Sequence, residues 1–420
     1  MLTLLFNPAQ IITVNTKGKN YKRGIEMSDI APLTAHSILL EDDLIKNIIP
    51  NSSVSKYSYD QKIDLTDKII LPGLIECHTH SVFAGSRADE FNLKLRGISY
   101  EEIGRAGGGI LKTVKAVRES SFIELLQLTR KRVNTFIYQG ITTLEIKSGY
   151  GLDFENEIKL LQIINILNEE CDIDIIPTFL GAHTIPFEYK NDREKYVRLI
   201  IEEMIPFISK NNLAFFCDAF CESTAFTAEE INLIFKSASN HGLKLKLHTE
   251  QFNNIGGLAV ALNNNAVSVD HLEVLGDEDL DSLSDSDVVC DLLPGVSYSL
   301  DYQFAPARKL IDRSAIVALA TDYNPGSSPI TNISLIMSLA AVKMKMTAEE
   351  IISAYTINAA KSLCIEQNTG SIESGKKADF AVFDTSNFYD LIYNIGKNLC
   401  CMTIKDGRVI YQSNGSYSFE

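Results

Sequence analysis

The chain has 420 residues, 45% hydrophobic and 22% charged, so it can bury a large core and exceeds one small domain. A net charge of −15 speaks against nucleic acid as the main partner, because phosphate binding needs a basic face, but it leaves room for a local cationic pocket. No basic-then-apolar leader and no apolar run of the roughly 18 residues a membrane span needs are found, so the expectation is a cytoplasmic protein with reduced thiols and no membrane partner.

The first seventy residues read as β-rich: "AQIITVNT", "SILLEDDLIKNIIP" and "KIDLTDKIIL" are short β-branched runs split by Asn, Pro and Gly. The far end repeats that texture in "KKADFAVFD" and "LCCMTIKDGRVIYQ", with a turn at Asp406-Gly407. Residues 1–70 and 366–420 are therefore expected to form one small composite β-sandwich domain, flanking a catalytic domain over 71–365.

Within the middle, short apolar runs alternate with amphipathic stretches of helical length. The runs are "GLIECHTH", "GITTLEIKSGYG", "DIIPTFLGAH", "LAFFCDAFC", "LKLKLHTE", "AVSVDHLE", "VVCDLLPG" and "AIVALATDYNPG". Between them "SFIELLQLTRKRVNTFIYQG" reads as a helix stopped near Gly140, "ENEIKLLQIINILNEE" as another, and "TAEEINLIFKSASNHG" as a third capped by Thr227. Eight strands alternating with helices predict an α/β fold of the (β/α)8 TIM-barrel type. An open doubly wound sheet is the rival, weakened because no glycine-rich dinucleotide fingerprint follows a first strand. "GRAGGGI" at 104–110 follows a helix-like stretch and reads as a mobile or tight loop. Cys217 and Cys221 have a zinc-like spacing but no second pair, so "FFCDAFC" reads as a buried strand.

Barrel active sites lie at the C-terminal ends of the strands. His78 and His80 end the first strand in this segmentation, His183 follows the third, His248 ends the fifth, His271 the sixth and Asp322 the eighth. Five of the seven histidines thus fall on one rim. His-x-His on a strand turns both imidazoles to one face, since side chains alternate with period two. With His248 and Asp322 across the mouth, three imidazoles and a carboxylate surround a point, a set that suits one Zn²⁺ ion and also tolerates Fe or Mn. A metal there lowers the pKa of a bound water towards neutrality.

"PGLIECHTH", the strand-five and strand-six histidines and the strand-eight aspartate resemble the amidohydrolase superfamily of metal-dependent barrels. "HTHSVFAGSRADEF", "RAGGGILKTVKAVRESS", "TTLEIKSGYGLD", "TFLGAHTIP", "KLHTEQFNNIGG", "VDHLE" and "ATDYNPGSSP" together resemble the imidazolonepropionases within it, over roughly residues 70–330. "GSIESGKKADFAVFD" is similar to the superfamily's returning C-terminal segment. The resemblance implies hydrolysis of 4-imidazolone-5-propanoate to N-formimidoyl-L-glutamate, the third step of histidine breakdown, by one metal ion per subunit of a homodimer. It implies His78, His80, His248 and Asp322 as metal ligands. It places Arg87, Tyr150, His183 and Gln251 against the substrate, together with Asn324, Gly326 and Ser327 of the "NPGSSP" turn.

The chemistry of these residues agrees. Arg87 can pair with the propionate tail as a charge-assisted fork, and Tyr150 can add a hydroxyl donor. His183 is expected to hydrogen-bond the ring or the developing oxyanion, and His271 or Asp322 to move the proton to the leaving nitrogen. Some superfamily members carry a glutamate three residues after the strand-five histidine. Gln251 stands there in this chain and cannot be a base, while its neighbour Glu250 is expected behind the site or in a salt bridge. Gln251 and Arg87 both weigh against the alternative of an aromatic-base deaminase, and the intact ligand set weighs against a non-catalytic metal-binding barrel. Binuclear relatives bridge two metals with a carboxylated lysine from the fourth strand; Lys147 follows the second, which favours a single ion.

Overall fold

The computed structural model describes residues 1–98, 102 and 108–413. The N-terminal segment supplies β1 (Leu2–Phe6), β2 (Gln10–Ile12), β3 (Pro32–Leu33), β4 (His36–Glu41), β5 (Leu44–Pro50), β6 (Gln61–Asp64) and β7 (Ile69–Pro72). The C-terminal segment supplies three more strands, at Phe380–Phe383, Cys400–Lys405 and Arg408–Gln412. Strands β5, β4, β1 and β6 make a four-stranded sheet. The second sheet is mixed from both ends of the chain: Phe380–Phe383 pairs antiparallel with β7, Val382 opposite Ile70. Leu5, Ile38 and Leu40 of the first sheet and Ile11, Ile70, Phe380 and Val382 of the second fill one apolar core. Period-two alternation explains the choice, since Leu4 and Leu39 turn to the other face of their sheet. A β-sandwich results, built from strands that begin and end the sequence.

Between them lie β8 (Leu74–Glu76), β9 (Ile141–Lys147), β10 (Asp174–Ala182), β11 (Phe216–Phe220), β12 (Lys244–Thr249), β13 (Ser268–His271), β14 (Val289–Leu292) and β15 (Ile316–Leu319). They are parallel and adjacent in sequence order. A parallel bridge from Thr79 to Tyr323 joins the first to the last, which nearly closes the ring and rules out an open doubly wound sheet. The expected helices fall between the strands. Phe122–Ile137 ends ahead of Gly140, whose φ of +90° makes the turn into β9. Ala228–Asn240 is capped by Thr227 in a reciprocal box with Glu230. Cys217 is buried within β11 and Cys221 just beyond it, as the strand reading expected. Residues 104–107 of "GRAGGGI" lie outside the described residues; Gly109, at φ +76°, opens the helix Ile110–Glu119. No helix among the described residues is long and apolar enough to cross a membrane.

The barrel interior departs from the usual branched-aliphatic filling. Leu144 and Ile146 of β9, Leu245 and Leu247 of β12, and Val269 of β13 join the large core cluster with the helices. The alternate residues Glu145, Lys147, Asp218, Lys246 and Asp270 are charged and fully buried. The strand starts are apolar: Ile75, Phe216, Val289 and Ile316 cluster with Ala359, Ala360 and Leu363. A charged layer is thus held between an apolar floor and the rim.

Candidate active site

Strand β8 ends at Glu76, and the His78-Thr79-His80 segment continues past it, held by a hydrogen bond from the His80 N–H to the Tyr323 carbonyl at 2.9 Å. His248 lies within β12 and His271 is the last residue of β13, while Asp322 sits beyond β15 at φ +48°. The fold brings four of these side chains to one point. The Nε2 atoms of His78 and His80 lie 3.4 and 3.2 Å from Asp322 Oδ1, and those of His80 and His248 lie 3.3 Å apart. A tetrahedral ion with ligands at about 2.0–2.1 Å has ligand–ligand edges of about 3.3–3.4 Å, so the spacing is that of a coordination shell. His78 Nε2 and Asp322 Oδ1 are buried without a hydrogen-bond partner, as atoms kept for an ion are. The cluster fits a divalent metal ion.

Carboxylates behind the ring aim two of the imidazoles. Asp270 Oδ2 lies 2.6 Å from His78 Nδ1, and Asp218 Oδ1 lies 3.1 Å from His248 Nδ1. Each takes the Nδ1–H and so leaves Nε2 to the centre. Strand register sets this up: β11, β12 and β13 place Phe220, His248 and Asp270 side by side. Burial depresses the imidazoles of His80 and His248, favouring the neutral, ligating form. At His78 burial and the Lys147 ammonium also depress, but Asp270 and Asp322 outweigh them and raise the ring to about 9. A cation held at Nε2 would take the place of that proton. Burial opposes ionisation of Asp322, yet its contacts with His78 and His80 hold the carboxyl well below the usual range.

Above the cluster opens a cavity of about 350 Å³, within the range of small-molecule sites. Arg87, Tyr150, His183, Gln251, His271, Asn324 and Ser327 all line it, with His80, His248 and Asp322 at its base. His78 lies beneath; Gly326 lies against the Arg87 guanidinium, so close that a Cβ at 326 would overlap it. The Arg87 Nε donates to Glu90 at 2.8 Å, which directs the fork. His183 Nδ1 is 2.9 Å from the Gly149 carbonyl, its ring stacked 5.1 Å from that of His80. Burial pushes His183 down to about 3, so the ring is neutral with its proton on Nδ1. In that form its Nε2 is an acceptor, able to receive a ring N–H.

The turn after β15 is shaped by Asn324. Asn324 Oδ1 accepts the N–H groups of Gly326 and Ser327, both at 2.8 Å, and its Nδ2 donates to the Asp322 carbonyl at 2.7 Å. Its Nδ2 also donates to the Ser327 hydroxyl at 3.0 Å, so the amide braces the loop while Asn324 and Ser327 line the cavity. Glu250, at φ +49°, accepts the Leu258 N–H at 3.2 Å, and burial raises its carboxyl to about 7. Sequence reasoning missed the cavity walls Phe220, Phe252 and Tyr302, and also Asp218 and Asp270. For those two the available signal was a lone acid inside an apolar strand.

Comparison with known proteins narrows the family. The amidohydrolase family model matches residues 69–410. The imidazolonepropionase of Alkaliphilus oremlandii is 42% identical over 97% of this chain and 97% of its own length. That of Clostridium tetani is 40% identical over 98% of each. The chain belongs to the imidazolonepropionase family of amidohydrolases. The Shewanella sediminis imidazolonepropionase is 46% identical over 82% of the chain and 84% of its own length. Among solved structures, a zinc-bound adenosine deaminase from Xanthomonas campestris superposes with a TM-score of 0.74 at 16% identity, covering 98% of this chain and 93% of that one. At that identity the likeness concerns the fold alone.

Proposed function

We propose that the chain hydrolyses the cyclic amide of 4-imidazolone-5-propanoate to N-formimidoyl-L-glutamate, the third step of histidine breakdown, as a cytoplasmic homodimer without nucleic-acid or membrane partners. The observation that carries the chemistry is the convergence of His78, His80, His248 and Asp322 at 3.2–3.4 Å below a cavity that Arg87 lines. Full-length likeness to imidazolonepropionases supports the substrate. Zn²⁺ is the ion the nitrogen-rich set suits best, with Fe the runner-up. When bound, the ion supplies Lewis acidity, polarising the amide carbonyl and making water acidic enough to deprotonate near neutral pH.

The protein's own groups do the rest. The Arg87 fork, fixed by Glu90, binds the propionate, and the Tyr150 hydroxyl adds a donor. His183 Nε2 accepts a ring N–H and orients the plane of the ring. Gln251 can donate or accept at the ring but moves no proton. His271 and Asp322 both line the cavity and are the groups placed to carry a proton to the leaving nitrogen. Synthesised imidazolonepropionate, assayed before and after chelation on wild type and His271→Ala, tests this. Chelation is expected to abolish turnover and His271→Ala to lower kcat about 100-fold or more, as loss of a general acid or base does. Turnover that persists after complete metal removal would refute the proposal.

A further inference from the structure

Lys147 remains unexplained by the chemistry above. It is fully buried at the end of β9, with Nζ 2.8 Å from Asp218 Oδ2, 2.9 Å from Glu145 Oε2 and 3.6 Å from Asp270 Oδ2. Asp218 and Asp270 are the two carboxylates that hold His248 and His78. The backbone takes part too, since the Lys147 N–H donates to the Thr79 carbonyl at 2.9 Å, between His78 and His80. Asp218, His248 and Asp270 form a second group whose ligand atoms lie close enough to hold a cation, and the Lys147 ammonium pairs with both of its carboxylates. Surrounded by three carboxylates, that amine stays charged, so it is not available for carboxylation as a bridging ligand.

We propose that Lys147 is a positioning residue of the metal centre, a built-in cation that fixes His78 and His248 through Asp270 and Asp218. The inference rests on the proposed metal site. Without the ammonium the two carboxylates are no longer drawn to a common point, and mutual repulsion lets them rotate off the imidazoles. A ligand whose Nδ1 partner is lost can flip its ring or change tautomer, and outer hydrogen-bond partners of this kind are worth about 10–100-fold in metal affinity. Another buried lysine away from the barrel mouth is the natural control. Lys405 pairs with the buried Asp379 at 3.1 Å and with Asp174 at 3.0 Å, and neither carboxylate bonds a histidine of the cluster.

The test is Zn²⁺ affinity of the metal-free full chain, measured by competition with a chromophoric chelator, alongside thermal melts without metal. Lys147→Met and Lys405→Met should both lower the melting temperature, since each strands a buried carboxylate. Lys147→Met should weaken Zn²⁺ binding about 10–100-fold, and Lys405→Met less than about threefold. Equal weakening by both variants, or a folded Lys147→Met that binds Zn²⁺ as wild type does, overturns the inference. If Lys147→Met does not fold, the charge-compensated Lys147→Met/Asp218→Asn variant replaces it. It should bind Zn²⁺ more weakly than Asp218→Asn alone, because Asp270 has also lost its anchor; equal affinity overturns the inference. A wild-type chain that takes up no Zn²⁺ overturns the metal-site reading itself and the inference with it.

Discussion

Gly326→Ala offers a probe of substrate anchoring that replaces neither a residue of the metal cluster nor Arg87. A Cβ at 326 would fall inside the Arg87 guanidinium, while the backbone there needs no positive φ. The clash is with the far end of a flexible side chain, so the fork swings aside and the fold is spared. The variant should lose less than about 1 kcal/mol of stability, as replacements outside the core do. What suffers is the carboxylate pair. Hydrogen bonds to a charged group contribute roughly 1.5–3 kcal/mol, which at 1.4 kcal/mol per factor of ten is about a 10- to 100-fold rise in KM. Steady-state kinetics on imidazolonepropionate should show that rise with kcat within about threefold of wild type, because the fork binds ground and transition states alike. The double variant with Arg87→Ala should be no worse than Arg87→Ala alone, the shared cause making the effects non-additive. An unchanged KM in Gly326→Ala, or additive losses in the double variant, would refute the reasoning.

Other expectations follow from the same geometry. Asp270→Asn should weaken Zn²⁺ binding about 10–100-fold by replacing the charged carboxylate that holds His78 at 2.6 Å with a neutral amide, as chelator competition would show; an unchanged affinity would deny the orienting role. Arg87→Ala should raise KM and leave Zn²⁺ stoichiometry intact; if the Michaelis constant does not move, the anchor is elsewhere. His183, held near 3 when folded, takes up its proton at about 6.5 when unfolded, so the unfolded chain binds more protons between those values. Stability therefore falls as pH drops through that window, by at most about 1.4 kcal/mol per pH unit for this group. Denaturant melts of His183→Asn against wild type at pH 7 and 5 should show a shallower loss in the variant; parallel losses would mean the ring is not buried neutral.

Much of the site was legible in the chain because its spacing is local. His-x-His at a strand end, and single His or Asp residues closing later strands, are patterns that period-two alternation alone converts into a rim. The sandwich was legible from texture at both ends, the barrel from strands alternating with helices. What was not legible depends on register between strands. Asp218 within "FFCDAFC" and Asp270 within "AVSVDHLE" look like isolated acids in apolar runs; the pairing of β11 with β12 brings Asp218 to His248, and the curl of the barrel brings Asp270 across to His78. The donor face of His183 was also hidden, since it is decided by a carbonyl 34 residues earlier, at Gly149. The bracing role of Asn324 was hidden too, because it depends on bonds from its amide to the backbone of residues 322, 326 and 327.

The most direct measurement is product identification by mass spectrometry and NMR after the Zn²⁺-loaded protein is incubated with 4-imidazolone-5-propanoate. The account predicts a ring-opened product that has gained one water and carries the formimidoyl group, with none formed once the ion is stripped. Untouched imidazolonepropionate, with ammonia released from a purine or pyrimidine offered in its place, would contradict it.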